Sequence, residues 1–189
     1  MLNKPLFLSL SLSVVLLAGC STTHYISITP QADVKNASLT NDRVIQVSTS
    51  SNLTSTVGSI KTGINERADI FTTNDIKQSV KNSVLDGLRV LGFTPDQGVM
   101  PAADMQIEIT KMSYKTKVDA LKTVATLDFE LKTTLIAKGQ TYKSNYGSQK
   151  VKEYGTMPYQ EDIEKDMNDL ASQTVNRLLS DPNILVLLK

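Results

Sequence analysis

The sequence predicts an α+β two-layer sandwich, an antiparallel or mixed sheet of about four strands with two helices on one face, in the order β-α-β-β-β-α. Three observations predict it. Two stretches, Ile76 to Leu91 and Ile163 to Leu178, place apolar residues at helical spacing; the three runs between them, 104–115, 122–137 and 141–152, alternate with period two. Strands and helices do not alternate regularly, which argues against a doubly wound parallel sheet.

The chain opens on a segment outside that fold. Lys4 is followed by an apolar run from Leu6 to Leu17, broken only by Ser9, Ser11 and Ser13. A membrane-spanning helix needs about 20 apolar residues; this run is shorter and has the form of a secretory signal peptide. Ala18 and Gly19 then precede Cys20, the only cysteine. Leu17-Ala18-Gly19-Cys20 resembles the lipobox of bacterial lipoproteins. The resemblance implies signal cleavage between Gly19 and Cys20, a diacylglycerol thioether on the Cys20 sulfur and a further acyl chain on its amine. The other reading, a secreted protein with a free thiol, leaves a reactive group in an oxidising compartment. One acyl chain binds a membrane marginally, whereas two or three together anchor stably. Ser21 stands where retention in the inner membrane usually requires Asp, so the expected location is the outer membrane, anchored by lipid on its periplasmic face.

Without residues 1–19 the chain has 170 residues and 19 groups of each charge. That suits one domain and excludes the net basicity on which nucleic-acid binding depends. Lys111 to Lys152 holds nine lysines against three acids, and Glu153 to Asp169 holds six acids against Lys165. This reads as a lysine-decorated sheet followed by the acidic first turns of a helix, or as a dipolar surface for a charged partner.

Residues 20–42 read as the lipidated N-terminus and a tether, reaching roughly 25 Å as a flexible coil, and 43–189 as the single domain. Tyr25, Ile26 and Ile28 suggest a short strand inside the tether. Arg43 to Thr49 reads as the first strand of the domain, and the polar stretch that follows reads as a long excursion with Ile70 and Phe71 as a second arm. Gly58 and Gly63 have the spacing of a phosphate loop, but Ile64 and Asn65 stand where Lys and Ser/Thr are required, so no nucleotide is expected.

Asn74 reads as the N-cap of the first helix, with Ile76, Val80, Val84, Leu88 and Leu91 as its buried stripe and Gly92 closing it. Gly87 is read as permitting close packing on the sheet. In 104–115 the apolar parity slips at Lys111, which predicts a bulge or a strand end. Lys122 to Ala137 turns Leu127, Phe129, Leu131 and Leu135 inward and Thr126, Asp128, Glu130, Lys132 and Thr134 outward. A turn at Lys138-Gly139-Gln140 leads to the last strand, with Tyr142 and Tyr146 on one face. The final helix, from about Pro158 to Leu179 with Thr156 as cap, buries Ile163, Met167, Leu170, Thr174 and Leu178. Asp181-Pro182 ends it, and the apolar tail ILVLLK docks.

Val57 to Gly92, with "ADI" at Ala68 to Ile70 followed by Thr72 and the helix ending in "LRVLGF", resembles the YajG-like family of bacterial lipoproteins, whose outline also fits the lipobox and the end at "LLSDPNI". The resemblance implies a small outer-membrane lipoprotein of no assigned biochemical activity.

Chemistry is sparsely signalled. A catalytic cysteine is excluded if Cys20 is acylated; His24, the only histidine, stands four residues from the lipid, and no calcium-loop motif is present, so no metal and no cofactor beyond the acyl chains are expected. Asp128 and Glu130, two apart on one strand face and about 6–7 Å from each other, are the best carboxylate pair, and Lys132 beside them favours a solvated face. The expectation is a noncatalytic binding or accessory module of the cell envelope, with the membrane and an envelope protein as partners. Gly58, Gly63, Asp128, Glu130 and Lys132 are its candidate partner-binding residues. A subunit of an envelope assembly, lipid-transport or motility machine is the narrower alternative, and a cell-wall enzyme the third.

Overall fold

The strongest alternations in the sequence become the spine of the sheet. In the computed structural model, which describes residues 23–35, 43–62, 66–96, 100–119 and 121–189, β6 (Ala103–Asp119), β7 (Lys122–Ala137) and β8 (Gln140–Tyr154) form an antiparallel meander. The parity slip marks a bulge: β6 shifts register between Ile109 and Lys111, so that Ile109 and Met112 both point into the core. The bulge divides β6 into two pairing halves. β2 (Val44–Ser51) lies parallel to the first half and β3 (Thr56–Lys61) parallel to the second; β4 (Arg67–Thr72) extends the sheet beyond β3, β1 (His24–Ile26) forms one edge beside β4, and the two-residue β5 (Thr94–Pro95) pairs with β2.

The described residues therefore form one mixed sheet of eight strands with three helices, which corrects the expected two-layer sandwich of about four strands and two helices. The missing strands have physical reasons. In the stretch read as a polar excursion, β3 and β4 bury only Val57, Ile60, Ala68 and Ile70 between polar neighbours, too thin an alternation to stand out. β5 is too short for any period, and the apolar tail is long enough to form α3 (Pro182–Leu188), started by Asp181.

α1 (Ile76–Val90) and α2 (Gln160–Leu179) bury the stripes their spacing predicts, Val80, Val84 and Leu88 on one and Ile163, Met167, Leu170 and Leu178 on the other, against the inner face of the sheet. The cap of α1 is Asp75, whose carboxylate accepts from the Lys77 and Gln78 amides, rather than Asn74. Tyr159 occupies the cap position of α2 without a side-chain bond, so Thr156 does not serve there. Gly87 faces α2 rather than the sheet: a Cβ there would stand 2.3 Å from Leu179 Cδ1 and 3.1 Å from Ala32 Cβ.

Ala32 belongs to a strap. After β1 the chain runs extended along α2, and the amides of residues 25, 27, 29, 31 and 33 donate in turn to the side chains of Gln160, Glu164, Asn168, Ser172 and Asn176. Two residues of extended chain advance about 6.7 Å and four residues of helix about 6 Å, so every second amide meets every fourth side chain. On the opposite side Asn74 clamps Ile28, accepting from its amide at 2.9 Å and donating to its carbonyl at 2.8 Å. Ile26 and Ile28 are fully buried beneath.

Candidate functional site

All three helices lie on the inner face, because α1 meets α2 at Gly87 and Leu179, and Asp181 at the head of α3 accepts from Tyr142 and Tyr146 of β8. Among the described residues, no helix covers the outer face of β6, β7 and β8. It is the candidate site because it collects the charged residues that the alternation points away from the core.

Asp128 stands at its centre and, unlike the solvated position its alternation predicts, is only 7% exposed. Gln149 Nε2 donates to it at 2.7 Å and Ser113 Oγ at 3.0 Å, and Lys111 Nζ lies at 3.3 Å. Burial alone would raise this carboxyl, but the bonds from Gln149, Ser113 and Lys111 outweigh it and hold the group below the ordinary aspartate value. Lys111 also pairs with Glu130 at 3.4 Å, and Lys132 with Glu108 at 3.8 Å. Glu130 lies opposite Gly147 on β8, whose missing side chain leaves room for its stem. The sheet thus brings Asp128, Glu130 and Lys132 together in a cross-strand charge lattice. Chemically this favours recognition over catalysis: an ionised aspartate whose oxygens are engaged by Gln149, Ser113 and Lys111 has no proton to give at neutral pH and is a weakened base.

Gly58 is not part of that face. It sits in β3 where the strand pairs with β6 at Tyr114, and a Cβ there would fall 1.8 Å from the Tyr114 carbonyl oxygen, so close backbone approach accounts for the glycine. Gly19, Cys20 and Gly63 lie outside the described residues. His24 is buried at the start of β1, and burial pushes its imidazole below the usual value. Among the described residues no cluster of His, Asp and Glu could hold a metal ion, and no helix is long and apolar enough to cross a membrane. A cleft of about 190 Å³ between the β2–β3 turn and the head of α1, lined in part by Leu53, Asp75, Lys77 and Met112, is smaller than the roughly 300–1,000 Å³ of ordinary small-molecule sites.

Two inner-face clusters escape sequence reasoning. Asp166 of α2, almost fully buried, accepts from Lys150 at 3.0 Å, Lys152 at 2.7 Å and Tyr154 at 2.6 Å, and Tyr154 in turn meets Tyr114. Burial opposes ionisation of Asp166, and the bonds from Lys152, Tyr154 and Lys150 overcome it and lower its pKa. Burial above all pushes Tyr114 up to about 12 and Tyr154 higher still. At the other end of β8, Asp181 binds Tyr146 and Tyr142. The available signal was the spacing of Tyr142, Tyr146, Ser148, Lys150, Lys152 and Tyr154, which puts every polar group of β8's inner face on one parity.

A profile of the Lipoprotein_16 family, described as uncharacterized lipoproteins, matches residues 30–189. The chain belongs to this lipoprotein family. Membership in Lipoprotein_16 implies a membrane-anchored location in the cell envelope. A search of curated proteins found no match. Among solved structures, this Lipoprotein_16 chain is similar to protein XCC0632 from Xanthomonas campestris, of the DUF330 family, at 9% identity and TM-score 0.55, covering 88% of this chain and 95% of that one. It is similar to an uncharacterized protein at 12% identity and TM-score 0.50, covering 84% and 97%. At these identities the likeness shows the fold alone. A neuraminyllactose-binding hemagglutinin homolog from Helicobacter pylori, at 10% identity, 85% and 95% coverage and TM-score 0.45, is more distant.

Proposed function

We propose that the protein is a noncatalytic, YajG-like binding or accessory module of the cell envelope, held on the periplasmic face of the outer membrane by acyl chains on Cys20. It engages an envelope protein through the uncovered face of β6, β7 and β8. The observation that carries this reading is the lattice around Lys111, in which Asp128 and Glu130 share one lysine on an open sheet face. It offers a polar, pre-ordered surface whose central carboxylate is engaged by Gln149, Ser113 and Lys111. The lipobox and Ser21 support the anchor and the membrane, and confinement to that leaflet raises the effective concentration toward partners there.

The test is site-specific photocrosslinking in cells, with the crosslinking residue at Lys132 or Gln149 on the open face and at Lys165 on α2. The expected result is one partner adduct from positions 132 and 149, none from 165, and loss of the adduct in Cys20→Ala. Equal adducts from both faces would sink the assignment of the surface. Turnover of peptidoglycan or glycan fragments that disappears in Asp128→Asn or Glu130→Gln would overturn the noncatalytic reading.

A further inference from the structure

One rung of the sheet runs through His24, Ile70, Gly58, Tyr114, Leu127 and Lys150. Cys20 lies four residues before His24, and four residues span at most about 14 Å when fully extended. β1 is parallel to β4, β4 antiparallel to β3, and β3 parallel to β6, so the first residue of β1 faces the far end of β6. From Tyr114 to Asp119, β6 continues for five residues, about 17 Å at about 3.4 Å each. The β6–β7 turn therefore stands at least as far from the rung as Cys20 can reach.

That end of the molecule carries apolar side chains the fold does not use. Leu121, in the turn, is 92% exposed and Val118 is 56% exposed. Tyr159, 75% exposed, precedes Gln160, whose side chain holds the Tyr25 amide, and Met157 is exposed beside it. Lys115 and Lys117 are exposed at the end of β6 beside the exposed Asp119, and Lys122 at the start of β7 pairs with Glu153 at 2.8 Å, so this end mixes lysines and acids in near balance. Exposed aromatic and aliphatic tips flanked by lysines suit the boundary between headgroups and acyl chains, and the charge balance suits a zwitterionic surface over a strongly anionic one.

We propose that this end of the molecule seats on a phospholipid bilayer, with Leu121 and Tyr159 entering the headgroup boundary, so that the domain holds one orientation on its membrane. The proposal rests on the acyl anchor at Cys20 inferred above. A cysteine whose sulfur is held in a thioether cannot be labelled, so Leu121→Cys and Tyr159→Cys each supply a single reactive thiol on the lipidated full-length mature chain. Met100→Cys and Val186→Cys, also exposed but at the opposite end, are the controls. Each variant carries an environment-sensitive fluorophore and is reconstituted on phosphatidylcholine and phosphatidylethanolamine vesicles containing a lipid-borne quencher.

The expected result is a roughly twofold loss of emission at positions 121 and 159 and less than about a tenth at 100 and 186. Flotation with the vesicles and the mass of the Cys20 peptide read the anchor separately. Vesicle-bound protein with no quenching at 121 and 159, or with equal quenching at all four positions, overturns the seating while leaving the anchor intact. Crosslinks between Leu121→Cys copies without quenching overturn it in favour of an interface between copies. An unacylated Cys20 with no flotation overturns both.

Discussion

At Gly58 the missing side chain decides how closely β3 can approach β6. A methyl group there would overlap the Tyr114 carbonyl, and backbone cannot swing aside as a side chain can. Gly58→Ala is expected to destabilise the domain by at least about 2 kcal/mol, read as a lower midpoint of urea unfolding with the outer-face lattice untouched. An unchanged midpoint would mean that the pairing is looser than the backbone approach indicates. The sequence offered Gly58 as half of a failed phosphate-loop spacing and as a candidate partner-binding residue, because close approach of two backbones leaves no trace in either local pattern. Asp128 was legible as an outward residue. Its burial was not, since it comes from Gln149 and Ser113, partners on two other strands.

Helices read well from the sequence when their apolar stripe is continuous: α2 buries all five of its stripe residues, and α1 buries Val80, Val84 and Leu88, with Leu91 buried just past its end and Ile76 half-buried at its start. What the polar side of α2 does was not legible. Gln160, Glu164, Asn168, Ser172 and Asn176 look like an ordinary solvated row until the strap is laid against them. Asn168 is its central fastener, accepting from the Thr29 amide at 2.6 Å and donating to the Ser27 carbonyl at 2.8 Å. Asn168→Ala is expected to cost about 1–2 kcal/mol and, more specifically, to speed hydrogen exchange of the amides of residues 27–33 relative to those of β7. Equal protection in the variant would show that Asn74 and the buried Ile26 and Ile28 hold the strap alone. Asp166 fastens the other side of the same helix. Asp166→Asn is expected to cost about 2 kcal/mol, below the usual figure for breaking a buried pair because both lysines reach solvent.

For the whole molecule, the charge asymmetry along the chain folds against itself: Lys150 and Lys152 from the basic block meet Asp166 from the acidic one. The sequence showed the two blocks and left open whether they faced a partner or each other. Ionisation then sets the limits of stability. Asp128, Asp166 and Asp181 have lowered pKa values in the folded chain, so their contribution is complete above the ordinary aspartate value of 3.8 and is lost as pH falls from there through their folded values. His24 is lowered by burial from 6.5, so its effect is complete above that value and is lost below it as the unfolded chain takes up the proton first. The tyrosines run the opposite way: Tyr114 is raised to about 12 and Tyr154 further, so their contribution holds below 10 and fades as pH rises through the folded values. Thermal unfolding followed across pH should show a plateau from about 6.5 to about 10, a small fall below it that His24→Asn removes, and a steep fall below about 4 that Asp166→Asn reduces. A midpoint that climbs steadily through neutrality would contradict this. The strap has a mechanical meaning as well. With the acyl anchor proposed at Cys20, a load on that anchor would enter the chain ahead of β1, and residues 24–33 run from there along β4 and α2. The hydrogen bonds from this path to β4 and to the α2 side chains reach sideways from the pull and share the force together instead of opening one at a time. Tugged by its anchor, the domain is loaded in shear, the direction in which it resists most.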